Sequence, residues 1–305
     1  MQSEIIQLYD DREDVTLTTY VIDPIRTSNV DLVRPAVIIC PGGSYMYCSD
    51  REAEPVAMAF NAMGFNAFVL RYSVYGQGKT TAEIIAEGQF PVKPDVVFPH
   101  ALKETARAFE ILHQHASEWH IDTDKIGLAG FSAGGHNTGM YSNVWHTDLI
   151  QNATSLKGSD LKPAFNISGY ALTDIAYYYR QNIANPDPNV KAYATAISLA
   201  CFGKPMPSEE EVEQYSVPGT VNEKTPPTFI WGTRDDDVVN VRDSLSLAMA
   251  LEEHEIPFAM HIFQAGPHGL SVANELSAVM PNQINETAAQ WVPLVEKWLK
   301  ELILK

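Results

Sequence analysis

Between residues 36 and 131 the chain passes twice from a helical pattern into a short apolar run, and this alternation constrains the fold more than any other feature. AVIIC (36–40) is apolar and β-branched and stops at Pro41-Gly42-Gly43. Residues 52–63, EAEPVAMAFNAM, put Val56, Ala59, Phe60 and Met63 on one helical face before Gly64, and FNAFVLRY (65–72) follows. The spacing in HALKETARAFEILHQHASEW (100–119), with Leu102, Ala106, Phe109 and Leu112 near the helical period, predicts a helix leading into KIGLAGF (125–131). Short apolar runs without polar alternation are strands buried on both faces, and a helix between two of them carries the chain back to begin a parallel neighbour. AFNIS (164–168), TFIWG (228–232) and FAMHIF (258–263) continue the series. A helix from about 241 to 255 precedes the last of these, WVPLVEKWLKELIL closes the chain, and VTLTTYVI (15–22) reads as a strand ahead of it all. The expectation is an α/β fold, a mostly parallel central sheet with helices on both faces.

With 305 residues, 45% hydrophobic and 19% charged, the composition is that of an ordinary globular chain. A chain of this size buries about 75% of its unfolded surface, and we read residues 1–305 as one domain. Two stretches break the rhythm, 73–98 and 170–226, the second carrying Tyr177-Tyr178-Tyr179, Asn185-Pro186-Asp187-Pro188 and Lys204-Pro205-Met206-Pro207. Structureless segments this long are uncommon in a compact domain unless they cover a site, so both are expected as loop excursions over the strand ends. A net charge of −17 repels phosphate backbones and anionic lipid, which argues against nucleic-acid and membrane partners. The clusters Asp10-Asp11-Arg12-Glu13-Asp14 and Glu209-Glu210-Glu211 read as solvated surface. Cys40, Cys48 and Cys201 form no C-x-x-C pair, so no disulfide is expected. MQSEIIQLYDDRED lacks the basic and apolar regions of a signal peptide, and the expected location is cytoplasmic.

Gly130-Phe131-Ser132-Ala133-Gly134 fits G-x-S-x-G between a predicted strand and a predicted helix, the context of a nucleophile elbow. A serine hydroxyl is a weak nucleophile until a base takes its proton, so Ser132 requires a histidine. His268, in the Gly/Pro loop QAGPHG after the 258–263 strand, is the candidate. His113, His115 and His120 belong to a helix and its end, His261 to a strand, and His254 to a polar helical tail. A carboxylate must hold the imidazole in its tautomer, and Asp235, Asp236 and Asp237 all follow the TFIWG strand. Donors for an oxyanion would be the N–H of Ala133 and that of Gly43 or Ser44 in the first glycine loop. No H-E-x-x-H or G-x-G-x-x-G occurs, so neither metal nor cofactor is expected.

These motifs give the chain its resemblance to the α/β-hydrolase superfamily, and within it to the esterase/lipase branch with acetyl-xylan esterase-like carbohydrate esterases. ICPGGSYMYCSDREAEPVAMAFNAMGFNAFVLRYSV looks like that branch's glycine loop, Arg-Glu pair and second strand. HIDTDKIGLAGFSAGGHNTG and PPTFIWGTRDDDVVNVRDS followed by GPHGL extend the likeness over nearly the whole chain. Aligning Val239 and Ser244 with the branch's D-x-x-V-P element selects Asp236 as the acid; Asn240 stands at the usual proline, and Ser44 at a common third glycine. The resemblance implies an α/β-hydrolase fold and a serine carboxylic-ester hydrolase forming an acyl-enzyme, with Ser132 as nucleophile, His268 as base and Asp236 as its orienter. The expected substrates are short acyl, above all acetyl, esters of oligosaccharides. Tyr45, Tyr47, Tyr72, Tyr75 and Tyr177-Tyr178-Tyr179 sit in or beside loops expected to face the site, where amphipathic rings either line a sugar or aromatic pocket or pack the excursions, and of these Tyr45 and Tyr72 are the expected substrate-binding residues. A serine peptidase or amidase on the same fold and a non-catalytic binding protein are the competing readings. Apolar residues in 280–305 leave a homo-oligomer open.

Overall fold

The structure is a computed structural model that describes residues 1–25, 27, 32–79, 81–87 and 91–303. In chain order it runs β1 (Ile5–Tyr9), β2 (Arg12–Tyr20), β3 (Arg34–Cys40), α1 (Glu54–Ala62), β4 (Asn66–Arg71), α2 (Thr81–Ala86), α3 (His100–Gln114), β5 (Ile121–Phe131) and α4 (Ala133–Val144). It continues α5 (Asp148–Gln151), β6 (Asn166–Gly169), α6 (Ile175–Ile183), α7 (Pro188–Phe202), α8 (Glu209–Glu213), α9 (Val217–Thr220), β7 (Thr228–Thr233), α10 (Arg242–Glu253), β8 (Phe258–Phe263) and α11 (Trp291–Leu302). The strands form one sheet in the order β1-β2-β4-β3-β5-β6-β7-β8, antiparallel at β1/β2 and β2/β4 and parallel from β4 to β8.

The continuous apolar runs are explained by two cores, one on each face. Along β3, Ile38 and Cys40 enter the layer containing Leu102, Phe109, Tyr141 and Leu251, while Val37 and Ile39 enter the layer containing Phe60, Trp291 and Val295. Side chains alternate along a strand, so covering both faces requires apolar residues at every position. The closing helix α11 packs its Trp291, Val295 and Leu299 against the sheet. No helix among the described residues is long and apolar enough to cross a membrane.

The strand register builds a platform. Cys40 lies opposite Gly130, Phe131 opposite Gly169, Gly169 opposite Trp231, and Thr233 opposite Phe263. The chain segments leaving β3, β5, β6, β7 and β8 therefore emerge along one edge. β4 lies to one side of β3 and β6 to the far side of β5, so the order reverses between β3 and β5. Such a reversal leaves a crevice at the carboxyl ends of the strands.

Both excursions depart from the expectation of loops. The second folds as α6, α7, α8 and α9. Asp174 caps α6 by accepting the Tyr177 N–H at 2.9 Å, and Ser208 and Glu211 form a capping box at the start of α8. The first holds α2 and packs on the glycine loop, with Tyr75 N–H donating to Tyr45 O at 2.7 Å and Gly76 N–H to Met46 O at 2.8 Å; its residues 80 and 88–90 lie outside the described residues. Prolines and asparagines that suggested loops sit between and at the starts of these helices, where a missing N–H or a side-chain cap is favourable. The acidic clusters also do more than face water. Arg12 of β2 pairs with Asp14 at 2.6 Å and donates to Ser73 Oγ at 2.8 Å, and Glu209 and Glu213 both engage Arg180 of α6.

Candidate active site

Ser132 stands between the last residue of β5 and the first of α4, with φ 50° and ψ −121°. That left-handed backbone is costly for a non-glycine residue and is held by its surroundings: Ser132 N–H donates to Gly169 O at 3.1 Å, and Ser132 O accepts from Leu172 and His136 N–H at 3.1 Å each. The glycine at 134 is required by contact. A Cβ there would lie 2.0 Å from Cys40 O, so only glycine lets α4 start against the end of β3.

His268, five residues past β8, places Nε2 2.9 Å from Ser132 Oγ and Nδ1 2.8 Å from Asp236 Oδ2. A carboxylate only accepts, so Nδ1 carries the proton and the Nε2 lone pair faces the serine hydroxyl. The Asp236 side chain is 3% exposed, and its other oxygen, Oδ1, accepts the N–H of Val238 at 2.9 Å and of Val239 at 2.8 Å. The three aspartates separate cleanly: Asp235 pairs with Arg234, and Asp237 accepts the backbone N–H of His268 at 3.1 Å. The structure thus brings Ser132, His268 and Asp236 into one hydrogen-bonded chain.

Ala133 follows Ser132 in the chain, and Gly43 and Ser44 follow Gly42, where a Cβ would lie 2.7 Å from Ser132 Cβ. Ala133 is the first residue of α4, where an N–H has no intrahelical acceptor, and the N–H groups of Gly43 and Ser44 find no acceptor among the described residues. Gly43, Ser44 and Tyr45 all have positive φ, at 129°, 57° and 59°. This strained run is tied down by side chains on both sides. The hydroxyls of Ser44 and Tyr193 of α7 share a hydrogen bond, and Tyr45 Oη meets His136 Nδ1 at 2.7 Å. Nε2 of His136 faces Tyr215 O at 2.6 Å, so Nε2 is the donor and Nδ1 accepts from the tyrosine hydroxyl. Burial lowers His136 to about 4, keeping it neutral.

Tyr45 and Tyr72 correct an expectation. Both are sealed in the core beneath the glycine loop, at 2% and 0% exposure, with the Tyr72 hydroxyl donating to Pro41 O at 2.7 Å. Their hydroxyls are spent on bracing the loop, and neither faces the crevice. Of the other loop tyrosines, Tyr47 is exposed and Tyr75 is buried with its hydroxyl on Pro91 O. The cysteines are free; burial raises their thiols, that of Cys48 to about 12, so they are poor nucleophiles.

Two residues brace the site: Glu52, the carboxylate of the Arg-Glu pair, is given no role by the sequence, and Tyr170 is marked by no motif. Glu52, 3% exposed, accepts the Gly42 N–H at 2.7 Å and the Tyr170 hydroxyl at 2.7 Å. Tyr170 Oη in turn accepts the Ser271 N–H at 2.9 Å, and its ring lies 5.1 Å from that of His268, edge to face. One carboxylate and one phenol therefore join the segments after β3, β6 and β8. The DREAE sequence held a signal in Glu52, a carboxylate on the turn before a helix, but only the folded chain supplies its partners.

Residues 26–251 match the BD-FAE family. Among curated proteins the chain is similar to endo-1,4-beta-xylanase B of Butyrivibrio fibrisolvens, 34% identical over 81% of this chain and 34% of that protein. The chain thus spans about a third of the length of that relative. Among solved structures it is similar to the carboxylesterase Cest-2923 of Lactobacillus plantarum, with TM-score 0.79, 26% identity and coverage of 99% and 98% of the two chains. It is also similar to an acetyl ester-xyloside bifunctional hydrolase of Caldicellulosiruptor lactoaceticus, at TM-score 0.73, 26% identity and coverage of 98% and 96%. An α/β hydrolase from a Medee basin deep-sea metagenome gives TM-score 0.70, 29% identity and coverage of 100% and 99%. The fold is that of the α/β hydrolases.

Proposed function

The chain belongs to the BD-FAE family, and on that premise we propose that it is a serine carboxylic-ester hydrolase for short acyl esters, acetyl esters of oligosaccharides foremost. The observation that carries the reading is the unbroken hydrogen-bond chain Ser132–His268–Asp236 beside unspent backbone N–H groups. Ser132 Oγ adds to the ester carbonyl carbon while His268 Nε2 takes its proton, and Asp236 holds Nδ1–H and stabilises the imidazolium. The carbonyl oxygen becomes an oxyanion within reach of the N–H groups of Ala133 and of Gly43 or Ser44. Collapse breaks the bond to the alcohol, which leaves with the proton from Nε2. Water, deprotonated by the same nitrogen, then cleaves the acyl-serine and releases the acid.

Oligosaccharide acetates are favoured by the similarity to the acetyl ester-xyloside hydrolase and to the xylanase. The test is hydrolysis of 4-nitrophenyl esters from acetate to octanoate by the wild type and Ser132→Ala. We expect acetate to be the best substrate and the variant to lose about 10⁴-fold or more in kcat/KM. Equal rates in the two proteins would refute the assignment of Ser132, and preference for octanoate would refute the short acyl group.

A further inference from the structure

A polar cavity lies beside the turn that holds Asp236. It measures about 200 Å³ and is bounded by Tyr177, Tyr178, Gln181 and Asn182 of α6, by Val238 and Asn240 of the turn before α10, and by Asp243 in the first turn of α10. Its floor is connected to the site: Asp236 Oδ1 binds the N–H of Val238, and Val238 and Asn240 line the cavity wall. Both helices begin just past the carboxyl ends of β6 and β7, on the rim from which Ser132 and His268 emerge.

The lining is chemically specific. The Tyr177 ring is half-buried and fixed by the Arg242 guanidinium 4.2 Å from its centroid, while its hydroxyl makes no hydrogen bond among the described residues. The Gln181 amide is equally unspent. Asn240 uses Oδ1 on the Arg242 N–H at 2.9 Å and leaves Nδ2 unengaged among the described residues. Asp243, 2% exposed, accepts the Asp174 N–H at 2.8 Å through Oδ1. Gln181 and Asn240 are exposed and Tyr177 is half-buried, so an occupant that covers them must offer hydrogen-bonding groups in exchange for water, which an apolar one does not. An anion would be met by Arg242, whose guanidinium lies on the Tyr177 ring, but is opposed by the carboxyls of Asp243 and Asp174 and by the net charge of −17. What matches aromatic faces flanked by amides and a carboxyl is an uncharged ring bearing hydroxyls. The volume is below the roughly 300 Å³ lower end of drug-sized sites and suits a single ring.

We propose that this cavity is a subsite for one neutral sugar ring of an oligosaccharide whose ester lies at Ser132. The subsite rests on the esterase reading for its substrate, and its test separates the two. Unacylated xylotriose is titrated calorimetrically into wild type, Tyr177→Ala and Gln181→Ala, each first shown to melt like a folded protein. In parallel, kinetics are measured on acetylated xylotriose and on 4-nitrophenyl acetate. The expected result is at least tenfold weaker xylotriose binding and a tenfold higher KM for acetylated xylotriose in each variant, with kcat on 4-nitrophenyl acetate within twofold of wild type. Undiminished binding in both variants, or no binding by the wild type at millimolar xylotriose, would overturn the subsite. Absence of 4-nitrophenyl acetate turnover in the wild type would overturn the esterase reading instead, and the calorimetry would still decide the subsite.

Discussion

Tyr170→Phe removes a single oxygen from the bracket that joins three strand-end segments. The hydroxyl donates to Glu52 at 2.7 Å and accepts from Ser271 N–H at 2.9 Å, and Glu52, Tyr170 and Ser271 are 3%, 4% and 0% exposed. Phenylalanine keeps the ring against Trp231 and His268, with centroids at 5.0 and 5.1 Å, so packing is preserved and only the polar terms change. A hydrogen bond to a charged group contributes about 1.5–3 kcal/mol, and an orphaned buried N–H costs about 1–3 kcal/mol. The expected loss is about 3–5 kcal/mol, since Glu52 retains the Gly42 N–H. Unfolding entropy of about 2.1 cal/mol/K per residue over 305 residues makes 1 kcal/mol worth about 1.6 °C, so Tm should fall by about 5–8 °C. Calorimetric melting at neutral pH reads this directly. Ester turnover should fall in kcat more than in KM, because Gly42 and Ser271 adjoin the glycine loop and the His268 loop. A Tm within 1 °C of wild type would refute the reasoning, since it would mean that the bracket carries no net stabilisation.

Two further predictions concern titration and the glycine loop. Burial among Asp174 and Asp236 raises Asp243 to about 7, above its unfolded value, so its contribution is full below about pH 4 and is lost as pH rises through 7. His136, lowered to about 4, works oppositely: its contribution is present above about pH 6.5 and lost as pH falls towards 4. Asp243→Asn keeps the acceptor for Asp174 N–H and removes only the first dependence. Its stability relative to wild type, read from thermal melting, should therefore climb between pH 4 and pH 8 by on the order of a few kcal/mol; a difference independent of pH would contradict the assignment. Tyr193→Phe releases Ser44 from α7 and should lower kcat on 4-nitrophenyl acetate about fivefold or more. Adding Ser44→Gly, which accepts a φ of 57° without strain, should restore part of that loss, and a double variant no faster than Tyr193→Phe alone would exclude a positioning role.

Much of the molecule was legible in local sequence because local sequence controls local things. Uninterrupted apolar runs marked strands covered on both faces, Gly64 marked a helix end, and G-x-S-x-G between strand and helix marked Ser132. His268 was legible by elimination, since the other histidines discussed lie in helices, at their ends or in a strand. The helices of 170–226 were missed because their stabilisation is capping and packing against one another, α4 and α10, against a background of proline and asparagine that resembles a loop. The tyrosines were misread for a related reason: a tyrosine after a glycine loop is amphipathic in either position, and only its neighbours decide whether its hydroxyl meets a ligand or, like Tyr45, a buried histidine.

The sequence by itself determined the order of the central strands and of the helices between them outside 73–98 and 170–226, and the kinds of side chain available for chemistry. Tertiary structure decided which of them meet. Ser132 and His268 are 136 residues apart, and Glu52 and Tyr170 are 118 apart, distances across which no periodicity carries information. The lateral order of the strands and their register bring those segments to one edge, and the separate partners of Asp235, Asp236 and Asp237 distinguish three residues that are chemically identical in the sequence.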